Sequence, residues 1–315
     1  MKRVLTIGEI LVEIMATEMG RGFREPIALT GPYASGAPAI FIDQAARLGQ
    51  PCAMISCVGA DDFGALCVER LRSDGVDVDA IGRDRERPTG SAFVRYRPDG
   101  QRDFVFNIRH SACASIAATD ASRVAIEACD HLHVMGTSLF SDAIVRMTLD
   151  AIDNVRSRGG TISFDPNIRD ELLDLPGLRQ ALETVASKSD LFMPSGRELF
   201  LFTKAKTEQE AVAEILRSGI RAVVIKRGLD GASYFDPTQE VSVAAQKVEE
   251  IDPTGAGDCF GATFVTCWLR GTPPHQALTL ANASGALAVR RKGPMEGAST
   301  FAEIDAFLRQ RGTET

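Results

Sequence analysis

The segment Asp252-Pro253-Thr254-Gly255-Ala256-Gly257-Asp258, followed at once by the apolar run 259–269, decides how this chain is read. Two glycines and an alanine open what reads as a helix. The first amides of a helix have no partner inside it, so small residues there let an anion approach them. Asp258 puts a carboxylate at the same mouth. A carboxylate repels phosphate unless it has a task, and the task that fits is taking the proton of a hydroxyl that attacks the phosphate. Thr254 adds a hydroxyl, and Asp252 is a natural cap for the turn. The plainer reading is a glycine-rich helix start with a capping aspartate.

Two rival motifs fall away. Gly255-x-Gly257-x-x-x-Gly261 faintly resembles a dinucleotide-binding loop, which follows an apolar strand directly. Here Glu249-Glu250-Ile251-Asp252-Pro253 comes first. No GxxxxGK[ST] run is present, so the phosphate is not held by a P-loop.

Outward from this segment, strand and helix patterns alternate. Strands are expected at 4–7, 52–58, 131–135, 161–164, 191–193 and 222–226. Helices are expected at 37–48, 62–73, 142–157, 178–187 and 208–218. The alternation predicts an α/β fold with a doubly wound, mainly parallel sheet flanked by helices. Ligands in such sheets bind beyond the carboxyl ends of the strands. Two segments break the rhythm: 9–33, and 91–107 around the turn Pro98-Asp99-Gly100. Together they predict a small β-sheet lid, about 10–34 and 88–109, inserted in a single domain of residues 1–315. An ordinary edge hairpin is the plainer alternative.

The 315 residues are 44% hydrophobic and 24% charged, enough for a packed core, with a net charge of −7. No basic block stands out, so no nucleic-acid partner is expected. An acidic protein that handles phosphate must use local donors. The 7 cysteines show no CxxC spacing. Cys129, His131 and His133 lie close together but lack a second ligand cluster, so buried side chains are the plainer reading than a metal site. Reduced thiols suit a cytoplasmic protein. The start of the chain reads as a short strand and not as a signal peptide. No apolar run is long enough to span a membrane.

With these residues in view, the chain resembles the PfkB, or ribokinase-like, sugar kinases. Residues 252–258 match the family's carboxyl-terminal signature. Ser35-Gly36-Ala37-Pro38-Ala39, Gly49 and Gly59 match its amino-terminal one. The resemblance covers essentially the whole chain. It departs at Ser35, where the family has glycine, at Ile40, where it has asparagine, and at Glu13, where it has a sugar-binding aspartate.

The resemblance implies roles by position. Asp258 is the expected catalytic base, with Gly255, Ala256 and Gly257 as the anion hole. Glu13, Gly36, Ala37, Asn107, Arg109, Asn167 and Arg169 are expected on the sugar. Asn167 and Arg169 lie in the family's DPNxR segment, Asp165 to Arg169. Ser195, Glu198, Lys226, Gly228, Gly231, Thr254 and Asn282 are expected on the nucleotide side. Glu198 keeps the acid of an Asn-x-x-Glu element that organises magnesium through water, while Ser195 replaces its asparagine. The cofactors implied are ATP and Mg²⁺, and in some members a monovalent cation such as K⁺. Relatives are often dimers, sometimes joined through their lids, so a homodimer is expected.

The implied reaction is phosphorylation of a terminal primary hydroxyl of a sugar. The run 32–41 also resembles a bacterial tagatose kinase subgroup. A ketohexose is therefore expected, D-tagatose first and D-fructose second. The rival substrate, 2-keto-3-deoxygluconate, would want a cation from Arg95, Arg97, Arg102 or Arg109. A catalytically silent sugar sensor is the alternative of another class, and the complete 252–258 loop argues against it.

Overall fold

The computed structural model describes residues 1–20, 22–97, 102–168 and 177–312. Its strands are β1 (Val4–Ile7), β2 (Leu11–Ala16), β3 (Leu29–Ser35), β4 (Cys52–Gly59), β5 (Ile81–Asp84), β6 (Gly90–Tyr96), β7 (Arg102–Asn107), β8 (His131–Met135), β9 (Thr161–Asp165), β10 (Leu191–Phe192), β11 (Ala222–Lys226), β12 (Ala232–Phe235) and β13 (Glu240–Val243). Its helices are α1 (Ala37–Arg47), α2 (Asp62–Ser73), α3 (Asp120–Glu127), α4 (Asp142–Ser157), α5 (Leu178–Ser187), α6 (Glu208–Arg217), α7 (Ala256–Leu269), α8 (Pro274–Ala288) and α9 (Phe301–Gln310).

Nine strands form one sheet in the order β13-β12-β11-β10-β9-β8-β1-β4-β5. From β5 to β11 every pairing is parallel, and only β12 and β13 run antiparallel. Central strands buried on both faces read as near-continuous apolar runs, as β4 does apart from Ser56, whose hydroxyl donates to the Gly8 carbonyl at 2.7 Å. One apolar cluster joins α1, α2, α7, α8 and α9 to one face, with Phe41, Phe260, Phe264 and Ile304 at its centre. A second joins α3, α4, α5 and α6 to the other through Ile144, Ile152, Leu182 and Ile215. The doubly wound sheet expected from the alternation is therefore present.

A second sheet has the order β3-β2-β6-β7. Its strands come from the two segments that broke the βα rhythm. β2 pairs antiparallel with β3 and β6 antiparallel with β7, and the two pairs join edge to edge through the parallel pairing of β2 with β6. The turn Pro98-Asp99-Gly100 lies outside the described residues. The sequence reading did not identify β5, β12, β13, α3 or α9.

His131 and His133 are buried in β8 and face β9. The Ser163 hydroxyl lies 2.7 Å from His131 Nε2 and 2.7 Å from His133 Nδ1, and Thr161 Oγ1 lies 2.8 Å from His131 Nδ1. His133 stacks flat on Phe41 at 3.6 Å, and its Nε2 has no partner. Among the described residues no group of three or more His, Cys, Asp or Glu could hold a metal ion. These are core histidines. Burial holds the His131 pKa down to about 3 and pushes His133 down as well.

Because the folded pKa lies below the unfolded value, the unfolded chain takes up protons that the fold refuses. Stability is complete above the unfolded histidine pKa and is lost as pH falls below it. From near pH 7.5 to about pH 5, His131 alone should cost about 2 kcal/mol. Urea unfolding followed by the fluorescence of Trp268, the only tryptophan, should show this loss, and His131→Leu should shrink it. Equal losses in both proteins would refute the assignment.

Candidate active site

The helix mouth forms as the sequence suggested, with Gly255 as the N-cap of α7. Gly255 has φ of 82°, and a side chain there would collide with the carbonyl of Pro294, so only glycine fits. Asp252 is fully buried and holds the loop. Its Oδ1 accepts from the Thr254 amide at 3.0 Å, the Thr254 hydroxyl at 2.8 Å and the Tyr96 hydroxyl at 3.2 Å. Its Oδ2 accepts from the Gly293 amide at 3.0 Å.

The mouth opens on a cavity of about 740 Å³ at the carboxyl ends of the central strands, walled by both sheets. Glu9, Glu13, Ser35, Gly36, Ala37, Ile40, Asn167, Ser195, Lys226, Thr254, Gly255, Gly257 and Asp258 line it. Arg102, Phe104, Phe106, Asn107, Arg109 and His110 close it from the smaller sheet and the chain leaving it. Gly36 starts α1 with φ of 112°, where a Cβ would lie 2.6 Å from the Glu9 carbonyl. The backbone there reaches the cavity for want of a side chain.

The cavity has two polar walls. On one, the Ser35 hydroxyl donates to Glu13 Oε2 at 3.0 Å, and Arg102 donates to Thr254 Oγ1 at 2.7 Å. Thr254 has one hydroxyl proton, which goes to Asp252; Glu13 Oε1 lies farther from it, at 3.5 Å. Ser138 donates to Glu9 at 2.7 Å. Two of the departures from the family pattern, Glu13 and Ser35, thus meet in space. Arg95 and Arg97 both pair with Asp103, which leaves Arg102 and Arg109 as the cavity's arginines from this part of the chain.

On the other wall, Lys226 at the end of β11 pairs with Asp165 at the end of β9. Asn167 Nδ2 donates to Asp258 Oδ1 at 3.3 Å. Glu198 stands behind this wall. Its Oε1 accepts from the Ile168 amide and its Oε2 from the Ser195 amide, each at 2.6 Å. Burial and the charge of Asp165 raise the Glu198 pKa. Burial works against the Lys226 charge, but Asp165, Glu198 and Asp258 outweigh it and hold the ammonium above its ordinary range.

Other expected residues lie off the cavity wall. Ala256 sits behind the mouth, with its carbonyl facing Gly285 of α8. Gly228 has open space around it, and Gly231 is packed against the Val243 carbonyl. Asn282 donates to the carbonyls of Val243 and Ala244, which ties α8 to the end of β13. Arg169 lies outside the described residues. The sequence reading missed Thr137, Phe140 and His110, all on the wall. Thr137 and Phe140 directly follow β8, so its predicted carboxyl end was the available signal.

A family profile described as pfkB family carbohydrate kinase matches residues 1–300. An E. coli protein provisionally called ribokinase II is 48% identical in its apo structure, with a TM-score of 0.94, covering 98% of this chain and 100% of that one. Its complex with ATP and Mg²⁺ superposes with a TM-score of 0.93. The 2-dehydro-3-deoxygluconokinase of Bacillus subtilis (strain 168) is 30% identical over 313 residues, covering 98% of this chain and 96% of its own. The fructokinase of Vibrio alginolyticus is 30% identical over 282 residues, covering 87% and 91%.

The Asp252 junction generates a stability prediction. Asp252→Asn puts a donor where only donors converge and should cost about 2–3 kcal/mol, whereas Tyr96→Phe should cost about 1 kcal/mol. Urea denaturation gives both values. An Asp252→Asn protein as stable as the parent would show that the junction is not formed.

Proposed function

The chain belongs to the pfkB family of carbohydrate kinases and is a carbohydrate kinase, and we propose that it moves the γ-phosphoryl group of MgATP to the terminal primary hydroxyl of a ketohexose, D-tagatose first and D-fructose second. The observation that carries this reading is the placement of Asp258 at the open mouth of α7, on the wall of a cavity rich in hydroxyl-binding groups.

Asp258 takes the proton of the sugar hydroxyl as that oxygen bonds to phosphorus. The bond between phosphorus and the bridging oxygen of ADP breaks, and ADP leaves. The amides of 255–257 face the charge that develops on the phosphoryl oxygens. Glu13, held by Ser35, grips sugar hydroxyls opposite the base. Gly36 and Ala37 let the sugar lie against the backbone, and Asn107 and Arg109 close over it from the small sheet, which acts as the lid.

The acids near the mouth suit a magnesium ion that arrives on the nucleotide. Glu198 spends both oxygens on amides and Asp165 is paired with Lys226. Acids so engaged would hold the ion through water and not in a dedicated cage. Bound with ATP, Mg²⁺ would neutralise phosphate charge. Lys226 and the glycine turn at Gly228 and Gly231 are the nucleotide's side of the site.

Arg102 and Arg109 in the wall favour a second reading, 2-keto-3-deoxygluconate, whose carboxylate an arginine fork would bind. The reading also includes a cytoplasmic location, since all seven cysteines are buried and unpaired. It includes a homodimer as well, because β3 and β7 are the edges of the small sheet and Leu29, Val105 and Phe106 are exposed there.

Coupled ADP release should be largest with D-tagatose, then D-fructose. If 2-keto-3-deoxygluconate wins and Arg109→Gln abolishes that preference, the second reading replaces the first. EDTA should stop turnover, and exchange of Na⁺ for K⁺ in the same assay reads any monovalent cation. Asp258→Asn should fold, bind sugar and lose about 10²–10⁴ in kcat. Near-normal turnover in that variant would end the assignment of the base.

A further inference from the structure

The turn after β9 holds a left-handed residue beside Asp258. Asn167 has φ of 40° and is the one non-glycine residue with positive φ among the described residues. That conformation is costly for a side chain and persists only when its surroundings enforce it. Here two carboxylates from different parts of the chain take consecutive amides. Asp165 Oδ1 accepts from the Asn167 amide at 3.1 Å, and Glu198 Oε1 accepts from the Ile168 amide at 2.6 Å. The turn delivers the Asn167 side-chain amide to Asp258 Oδ1 at 3.3 Å. The second oxygen of Asp165 is fixed by Lys226, so the carboxylate cannot rotate away from the turn. Asp165 is fully buried and is not on the cavity wall. It can reach the reacting atoms only through another residue.

We propose that Asp165 is a positioning residue for phosphoryl transfer, holding Asn167 in its left-handed turn so that the Asn167 amide fixes the orientation of the Asp258 carboxylate. The proposal rests on Asp258 being the base. A base that accepts a hydrogen bond on one oxygen presents the other in a fixed direction, and loss of such alignment is read in kcat more than in substrate affinity.

A double-mutant cycle tests it. Asp165→Ala should lower kcat about 10–100-fold, the scale of a misplaced reacting group, with sugar KM changed less than about 3-fold. Asn167→Gly keeps the backbone turn, which glycine adopts readily, but removes the amide, and should be similarly slow. The double variant should be no slower than Asn167→Gly alone, because both changes break one chain of contacts. Asp165→Asn keeps one acceptor but sets a donor where the Asn167 amide and Lys226 both donate, so it should lower kcat less than Asp165→Ala, with the same small change in KM. Should Asp165→Ala fail to fold in a thermal melt, Asp165→Asn and Asn167→Gly carry the comparison, and an Asp165→Asn protein slower than Asn167→Gly, or one that loses more in KM than in kcat, overturns the proposal. It is also overturned if Asp165→Ala keeps a kcat within about 2-fold of the parent, or if the double variant loses the product of the two single effects. Asp258→Asn in the same assay separates the two ideas. Full turnover there removes the base itself, whereas an inactive Asp258→Asn beside a fully active Asp165→Ala removes only the positioning.

Discussion

One buried carboxylate holds the site together. Asp252 accepts hydrogen bonds from its own loop, from Tyr96 on the small sheet and from Gly293 in the turn before α9. A dry carboxylate stripped of donors is expensive, and with four donors it is well satisfied. Full satisfaction is reached only when all three parts are in place, so loop, small sheet and turn are energetically dependent on one another. The consequence is a helix mouth whose amides point in one direction before any ligand arrives. Preorganised dipoles of that kind need no reorganisation when charge develops on them.

The charges around the cavity are kept on separate walls. Glu9, Glu13 and Asp258 bring negative charge, and Arg102, Arg109 and Lys226 bring positive charge. They do not pair indiscriminately. Arg102 donates to Thr254 on one wall, whereas Lys226 is bound to Asp165 on the other. Asp258 stands where the walls meet. A protein with net charge −7 can therefore handle an anionic donor by local arrangement, with little help from its overall field.

Much of this was legible in the sequence because the signals are local. The βα rhythm follows from hydrophobic periods within single elements, and the 252–258 loop carries its chemistry in seven adjacent residues. The two odd segments were readable as a small sheet for the same reason, through their lack of helical period. Pairings across the chain were not readable. Asp165 meets Lys226 across 61 positions, and Glu13 lies beside Thr254 across 241. Nothing in either neighbourhood names its partner. Asn282 shows the converse. Its match to a position in relatives put it on the nucleotide side, but that match could not foresee that its amide would bind the end of β13.

Two of the departures from the family pattern, Glu13 and Ser35, form one matched pair, and Ile40 changes the cavity elsewhere. Ile40 is buried under the helix mouth, and its Cγ2 would lie 3.2 Å from a Cβ at position 255. Its methyl groups therefore form an apolar floor where an asparagine would have offered hydrogen bonds. On the cavity wall Glu13 is a longer acid than aspartate, and a longer acid loses more rotamer freedom when held. Ser35 meets that need by fixing one of its oxygens. A glycine at 35 would leave that oxygen without the hydroxyl, and an asparagine at 40 would bring polar atoms beneath the mouth. Substitution of Glu13 or Ser35 alone would remove the other's partner in that hydrogen bond.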